Sequence, residues 1–256
     1  MNFYFLLEDE KSFLKVLPSW LEYMDFGCTR VADIQEVETN NYVMQSGQGV
    51  TQLVTKVIFD TIDTIKDNPG KIDKLVVILD AEELEIEERK QDLRKKIKEK
   101  YGDEIFGFEI VILVCNRCFE TWLLGCVGLY PEDVEVESDF YEYYKHFNIE
   151  KDDPEVMQPS EGSRDTTAKY HFHYLHELLR YKRIRYSKNR PQYVGTKEYF
   201  DGIVRRIDTT EHLQTFKEFY EFLATIKGEN DSDKKLIRDI YCKRSMRRRL
   251  VSYMNL

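Results

Sequence analysis

KLVVILDAEE, residues 74–83, decides how this chain folds. Leu75 to Leu79 are apolar without interruption, and Val76, Val77 and Ile78 are β-branched. A run of this kind is a strand covered on both faces, which is the habit of a parallel sheet. NFYFLLE (2–8) and FEIVILVCN (108–116) repeat the pattern. RVADIQEVE (30–38) and NYVMQ (41–45) add further strand material. Parallel neighbours need crossover helices, and the stretches between these strands supply them. EKSFLKVLPSWLEYM (10–24) has helical apolar spacing, with Pro18 predicting a kink or early break. VTQLVTKVIFDTIDTIKD (50–67) follows the SGQG turn (46–49), and EIEERKQDLRKKIKEKYG (85–102) is a charged helix closed by glycine. The expected fold class is α/β: a Rossmann-like parallel sheet flanked by helices.

The period changes after CFETWLLGCVGLY (118–130), itself read as a short apolar helix. VEVESDFYEYYKHFNIEKDDPEVMQPSEGSRDTT (134–167) is acidic and reads as a helix followed by an exposed loop. AKYHFHYLHELLRYKRI (168–184) and HLQTFKEFYEFLATIKG (212–228) read as helices, and so does the basic run 234–249. The expected organisation is an α/β unit over 1–130 and a mainly helical, partly basic region over 131–256.

At 256 residues, 42% hydrophobic and 13% aromatic, the chain can bury a large core and is not disordered. No apolar run reaches the roughly 18 residues of a membrane span. MNFYFLLEDE turns acidic within its first ten positions and lacks a basic leader, so no signal peptide and no membrane association is expected. Five cysteines without an export signal predict reduced thiols and a cytoplasmic protein. CNRC (115–118) has no second pair to complete a zinc site and is expected to be buried. The net charge of −9 is unevenly placed: 169–191 and 234–249 are strongly basic and suit a polyanion.

The residues just past the strands carry the chemistry. Ligands of open α/β sheets sit beyond the carboxyl ends of the strands, where Glu8, Asp80 and Glu82 fall. In an extended strand end, Asp80 and Glu82 at i, i+2 point the same way. Hard carboxylate oxygens suit Mg²⁺ or Mn²⁺, which bind through few protein ligands plus water and phosphate. Glu83 is either a further ligand or a helix-start acid. Glu120 stands beside Trp122 in an apolar segment, where an unpaired acid is costly. Tyr and His interleaved with Lys182, Arg183, Arg185, Lys188 and Arg190 suit stacking and phosphate contact on single-stranded nucleic acid; a solvated basic surface or a protein-binding face would look the same. His171, His173 and His176 lack the i, i+4 spacing of a helical zinc pair. Gly47 and Gly49 read as a turn, because no GK[ST] comes after them.

FLLEDEKSF (5–13), LVVILDAEE (75–83), NRCFETWLLG (116–125) and RYSKNRP (185–191), in that order, resemble a Toprim domain. The likeness is to the RloB-like, OLD-type and PARIS-effector proteins of phage defence. It covers residues 1–130 well and 169–225 loosely. By that resemblance Glu8 is the metal-binding or acid/base glutamate, and Asp80 and Glu82 match an Asp-x-Asp metal pair. Glu120 matches the glutamate of an F-E-x-W motif, and Lys188 a late lysine. The chain departs from the pattern at Asp9, where glycine is usual, at Glu82, where aspartate is usual, and in having no proline before Cys118. The resemblance implies a Mg²⁺-dependent (or Mn²⁺-dependent) nuclease hydrolysing DNA or RNA, with tRNA one candidate substrate. It further implies the effector of a bacterial anti-phage system working with an ATPase partner, with a homo-oligomer left open. The alternative is a catalytically silent subunit of the same fold that binds a partner protein or nucleic acid.

Overall fold

The computed structural model describes residues 1–9 and 11–227. The strands are β1 (Phe3–Leu7), β2 (Thr29–Arg30), β3 (Asn41–Ser46), β4 (Lys74–Asp80) and β5 (Glu109–Cys115). They form one all-parallel sheet of order β2-β3-β1-β4-β5. Helix α1 (Phe13–Tyr23) follows β1. After β3 come α2 (Val50–Gln52), a π-helical turn (Leu53–Val57) and α3 (Ile58–Lys66). Helix α4 (Ile86–Tyr101) joins β4 to β5, and α5 (Phe119–Leu124) follows β5. Beyond them lie α6 (Tyr141–His146), α7 (Thr167–Tyr181), α8 (Lys197–Thr209) and a helix over 214–227, α9. The α/β architecture expected from the apolar runs is therefore the one adopted.

Alternation along each strand sorts the core into two layers. Phe3, Phe5, Leu7, Val76, Ile78, Leu113 and Cys115 pack beneath α1, α5 and the later helices. Tyr4, Leu6, Leu75, Val77, Leu79, Ile112 and Val114 pack against α3 and α4. The first layer runs without a break across residue 130, since Tyr174, Phe200 and Phe216 belong to it. The helical region is thus the lid of one sheet face.

Four local expectations change. Only Thr29 and Arg30 of 30–38 and its border pair as strand; Ile34–Glu36 form a 3₁₀ turn capped by Asp33, whose carboxylate accepts from the Gln35 N–H. Helix α1 runs through Pro18, because buried Phe13, Val16, Leu17, Trp20 and Leu21 outweigh one missing hydrogen bond. The apolar helix after β5 stops at Leu124, and Gly125 to Tyr130 leave it. Helix α8 is an addition to the expected elements, although Tyr199, Phe200, Ile203 and Ile207 have helical spacing and Thr196 caps its start. The basic run 234–249 lies outside the described residues. No helix among the described residues is long and apolar enough to cross a membrane.

Candidate functional site

Chain order reverses across β1: the chain passes from β1 to β2 and β3 on one side, then to β4 and β5 on the other. The switch point therefore lies between β1 and β4, where open α/β sheets hold ligands. Glu8 and Asp80 end those two strands. The Glu8 N–H donates to Ile78 O at 2.9 Å, and its Oε2 accepts from the Asp80 N–H at 2.7 Å. Sheet pairing thus fixes the two carboxylates side by side. They line a cavity of about 480 Å³ with Asp9, Lys11, Gln48, Gly49 and Lys188.

The SGQG turn closes one wall. Gly49 N–H donates to Glu8 O at 2.9 Å, and Gly49 takes φ 88°, which glycine adopts freely. At Gly47 an added Cβ would lie 2.6 Å from Leu53 Cδ1, so only glycine lets the π-helical turn come so close. Such bulges mark functional positions in helices.

Opposite, Lys188 reaches the cavity from the loop after α7. Its Nζ lies 3.4 Å from Glu120 Oε1, which also accepts from the Tyr186 hydroxyl at 3.3 Å. Glu120 is 1% exposed, and its Oε2 has no hydrogen-bond partner. A buried carboxylate oxygen without a donor costs free energy unless a ligand satisfies it.

The acids repel one another. Burial, then Glu82, pushes the Glu8 pKa up to about 7 against the opposing pull of the Asp80 N–H, Arg89 and Lys188. Burial first, then Glu8 and Glu120, raises the Asp80 carboxyl well above its ordinary range. Burial alone would depress the Lys188 ammonium, yet the joint field of Glu120, Asp80 and Asp9 raises it.

Asp9 and Glu82 are differently engaged. Asp9 accepts from the Lys11 N–H at 2.6 Å, the Ser12 N–H at 3.0 Å and the Ser12 hydroxyl, and so braces the entry to α1. Although burial opposes it, that bonding holds the Asp9 carboxyl below its usual range. Extended geometry stops at Asp80: Glu82 takes φ 52° inside an Ala81–Leu84 turn. The i, i+2 logic therefore fails there. Glu82 lies 3.6 Å from Arg89 and does not line the cavity. Among the described residues no three His, Cys, Asp or Glu side chains form a metal-holding group. The set brought together is Glu8 and Asp80, with Glu120 behind Lys188.

Glu83 does not line the cavity and does not cap its own helix, whose N-cap is Glu85. It accepts from the Thr167 N–H at 2.8 Å and so fixes the start of α7 to the end of β4. Sequence reasoning also missed Lys11 and Gln48 of the cavity wall; both lie inside motifs already singled out, but neither carries a signal alone.

The histidines separate. His173 Nδ1 meets Asp165 Oδ2 at 2.7 Å and His176 Nδ1 meets Glu177 Oε1 at 3.0 Å. His171 is fully buried between Thr121 Oγ1 (2.7 Å) and Met157 O (2.9 Å), and burial lowers its pKa to about 4. A depressed folded-state pKa gives stability that is present above the unfolded value and lost as pH falls toward 4. The His171 contribution should drop by about 1.4 kcal/mol per pH unit from pH 6.5 toward 4, so wild type should lose that much relative to His171→Gln. The check is urea midpoints at pH 7 and pH 4.5 for wild type and His171→Gln; equal acid losses in both would refute it. Cys115 and Cys118 are buried, and burial pushes both thiols up, which suppresses the nucleophilic thiolate.

Of the basic residues, Lys188 joins the carboxylates, Arg185 and Arg190 line a neighbouring recess, and Lys182 and Arg183 line neither. Fold and site together define an α/β protein with an acidic, lysine-walled cavity at its strand ends. No protein-family model, curated protein or solved structure matches the chain.

Proposed function

We propose that this cavity is the active site of a divalent-cation-dependent nuclease, acting on the phosphodiesters of DNA or RNA. The observation that carries the reading is the pairing of Glu8 and Asp80 at the switch point, opposite Lys188. The residues fit a hard cation. Glu8, Asp9, Asp80 and Glu120 crowd carboxylates around Lys188, and their mutual repulsion together with the orphaned Glu120 Oε2 calls for positive charge. Mg²⁺ is commonly held by one or two carboxylates with water and substrate phosphate completing its sphere, and Glu8 and Asp80 would supply them. When bound, the cation would neutralise the phosphate and acidify water.

The chain's own groups have separate tasks. Glu8 Oε2 is committed to the Asp80 N–H, leaving Oε1 to face the cavity, where it would help hold the cation. Lys188, held charged by Glu120 and Asp80, faces charge that builds on the phosphoryl oxygens. Glu120 and Tyr186 set the position of Lys188 rather than touching substrate. Consistent with the Toprim resemblance, the wider setting we propose is an anti-phage effector working with an ATPase partner.

Purified protein with Mg²⁺ or Mn²⁺ should cut labelled DNA or RNA, and Asp80→Ala should lower the rate by about 100-fold or more. Failure to cut either, alone and with any ATPase found encoded beside it, sinks the reading. A silent binding subunit is the second reading, favoured by the commitment of Asp9 to Ser12 and of Glu82 to Arg89. Mn²⁺ calorimetry separates them: heat lost in Asp80→Ala supports the metal site, and absence of heat in wild type supports the silent subunit.

A further inference from the structure

Residues 187–190 form a tight turn, with the Arg190 N–H donating to Ser187 O at 2.8 Å across an isolated antiparallel bridge. Lys188 and Asn189 are its tip. Lys15 Nζ donates to Asn189 O at 3.0 Å and ties the tip to α1, while Tyr186 ties its base to Glu120. The turn is a partition. Lys188 lines the carboxylate cavity, whereas Ser187 and Arg190 line a second recess of about 300 Å³ whose other walls include His176, Arg180 and Arg185.

Charge in this recess is only partly matched. Arg180 meets Asp139 at 3.0 Å and Glu177 at 3.2 Å, and His176 meets Glu177 at 3.0 Å. Arg185 and Arg190 are exposed and have no ion pair among the described residues. Two guanidinium forks without an ion-pair partner among the described residues, in one hollow of a chain of net charge −9, suit an anion of phosphate geometry. Between recess and cavity lies an aromatic surface: Lys188 Nζ stands 5.6 Å from the Phe172 ring centre, and Phe172 stacks on His176 with centroids 6.0 Å apart.

We infer that this recess binds a backbone phosphate of single-stranded nucleic acid, next along the strand from the phosphate at Glu8 and Asp80. The intervening nucleoside lies on Phe172 and His176, since an unpaired base can stack where a paired one cannot. The inference deepens the nuclease reading and rests on it for the register of the strand. The turn sets that register, because one hairpin carries the contact on each side.

The test is fluorescence anisotropy of the full chain in EDTA, which blocks cleavage, using labelled 12-nucleotide single strands of DNA and RNA over a range of salt. The double variant Arg185→Ala/Arg190→Ala should bind at least about 10-fold more weakly, with the slope of log affinity against log salt falling by about 0.7 per phosphate lost. Phe172→Leu should weaken single strands by about 5-fold or more and leave duplex binding unchanged. Unaltered affinity and slope in the double variant overturn the recess, and equal effects of Phe172→Leu on duplex and single strand overturn the stacked nucleoside. A chain that binds through Arg185 and Arg190 but never cuts with Mn²⁺ refutes the nuclease reading and leaves the recess standing. Cutting and binding both indifferent to the two arginines refute the recess alone.

Discussion

With divalent cations chelated, Asp80→Asn should melt several degrees above the wild type. Asp80 is held among Glu8, Glu120 and Asp9, and burial removes the water that would otherwise stabilise its charge. Asparagine keeps the shape and deletes the repulsion. For Glu8, a rise from 4.5 to about 7 corresponds to about 3 kcal/mol against the ionised form. Relieving its neighbour should return about 1–3 kcal/mol, or about 2–4 °C per kcal/mol in a chain of this size. The sign can be checked by pH. An acid whose folded pKa is raised favours the fold below its unfolded value, and that gain disappears as pH climbs through the folded value. In EDTA, Glu8→Gln should therefore gain stability relative to wild type as pH climbs from 4.5 to about 7. Millimolar Mn²⁺ should reverse the order, raising wild type by about 2.7 kcal/mol at a hundredfold excess over Kd and Asp80→Asn by little. Differential scanning fluorimetry reads all four states. An Asp80→Asn protein less stable than wild type in EDTA, with no Mn²⁺ response in either, would show that the cavity is not a frustrated cation cradle.

The second large effect lies far from the cavity. Arg206 is 1% exposed and donates Nε to Gly125 O at 3.2 Å, one terminal nitrogen to Glu150 O at 2.8 Å and the other to Ile149 O at 2.7 Å. It satisfies carbonyls of two loops that have no strand or helix to pair with. Arg206→Met fills similar volume but leaves those acceptors without donors, at about 3–5 kcal/mol in total. Arg206→Lys should recover less than half, because a point charge cannot meet three divergent acceptors. Guanidinium denaturation is the measurement; a loss under about 1 kcal/mol for Arg206→Met would mean water replaces the guanidinium.

The sheet is legible because its strands are buried on both faces, so β1, β4 and β5 read as unbroken apolar runs. Register is legible too, in that strand ends place Glu8 and Asp80 together. Glu82 escapes because local geometry overrides spacing: the strand ends one residue earlier than the i, i+2 argument needs, and a left-handed turn takes over. Glu83 shows a different limit. Its partner Thr167 lies 84 positions away, and nothing in either segment announces the contact. Asp9 stands out only as a departure from a resembled motif; its use in bracing Ser12 is a local hydrogen bond that the D-x-x-S spacing permits but does not demand. Helix α8 has adequate periodicity, yet the basic run before it advertises charge more strongly than the four apolar positions it buries.

The turn at 187–190 also orders events in time. Glu8 and Asp80 belong to the first third of the chain, but the lysine opposite them and the tether to Lys15 come more than a hundred residues later. A growing polypeptide can complete most of the sheet, and both strand-end acids, while this wall of the cavity does not yet exist. The ribosome must release residue 190 before the enclosure closes. Until then Glu8 and Asp80 stand without the lysine that later faces them.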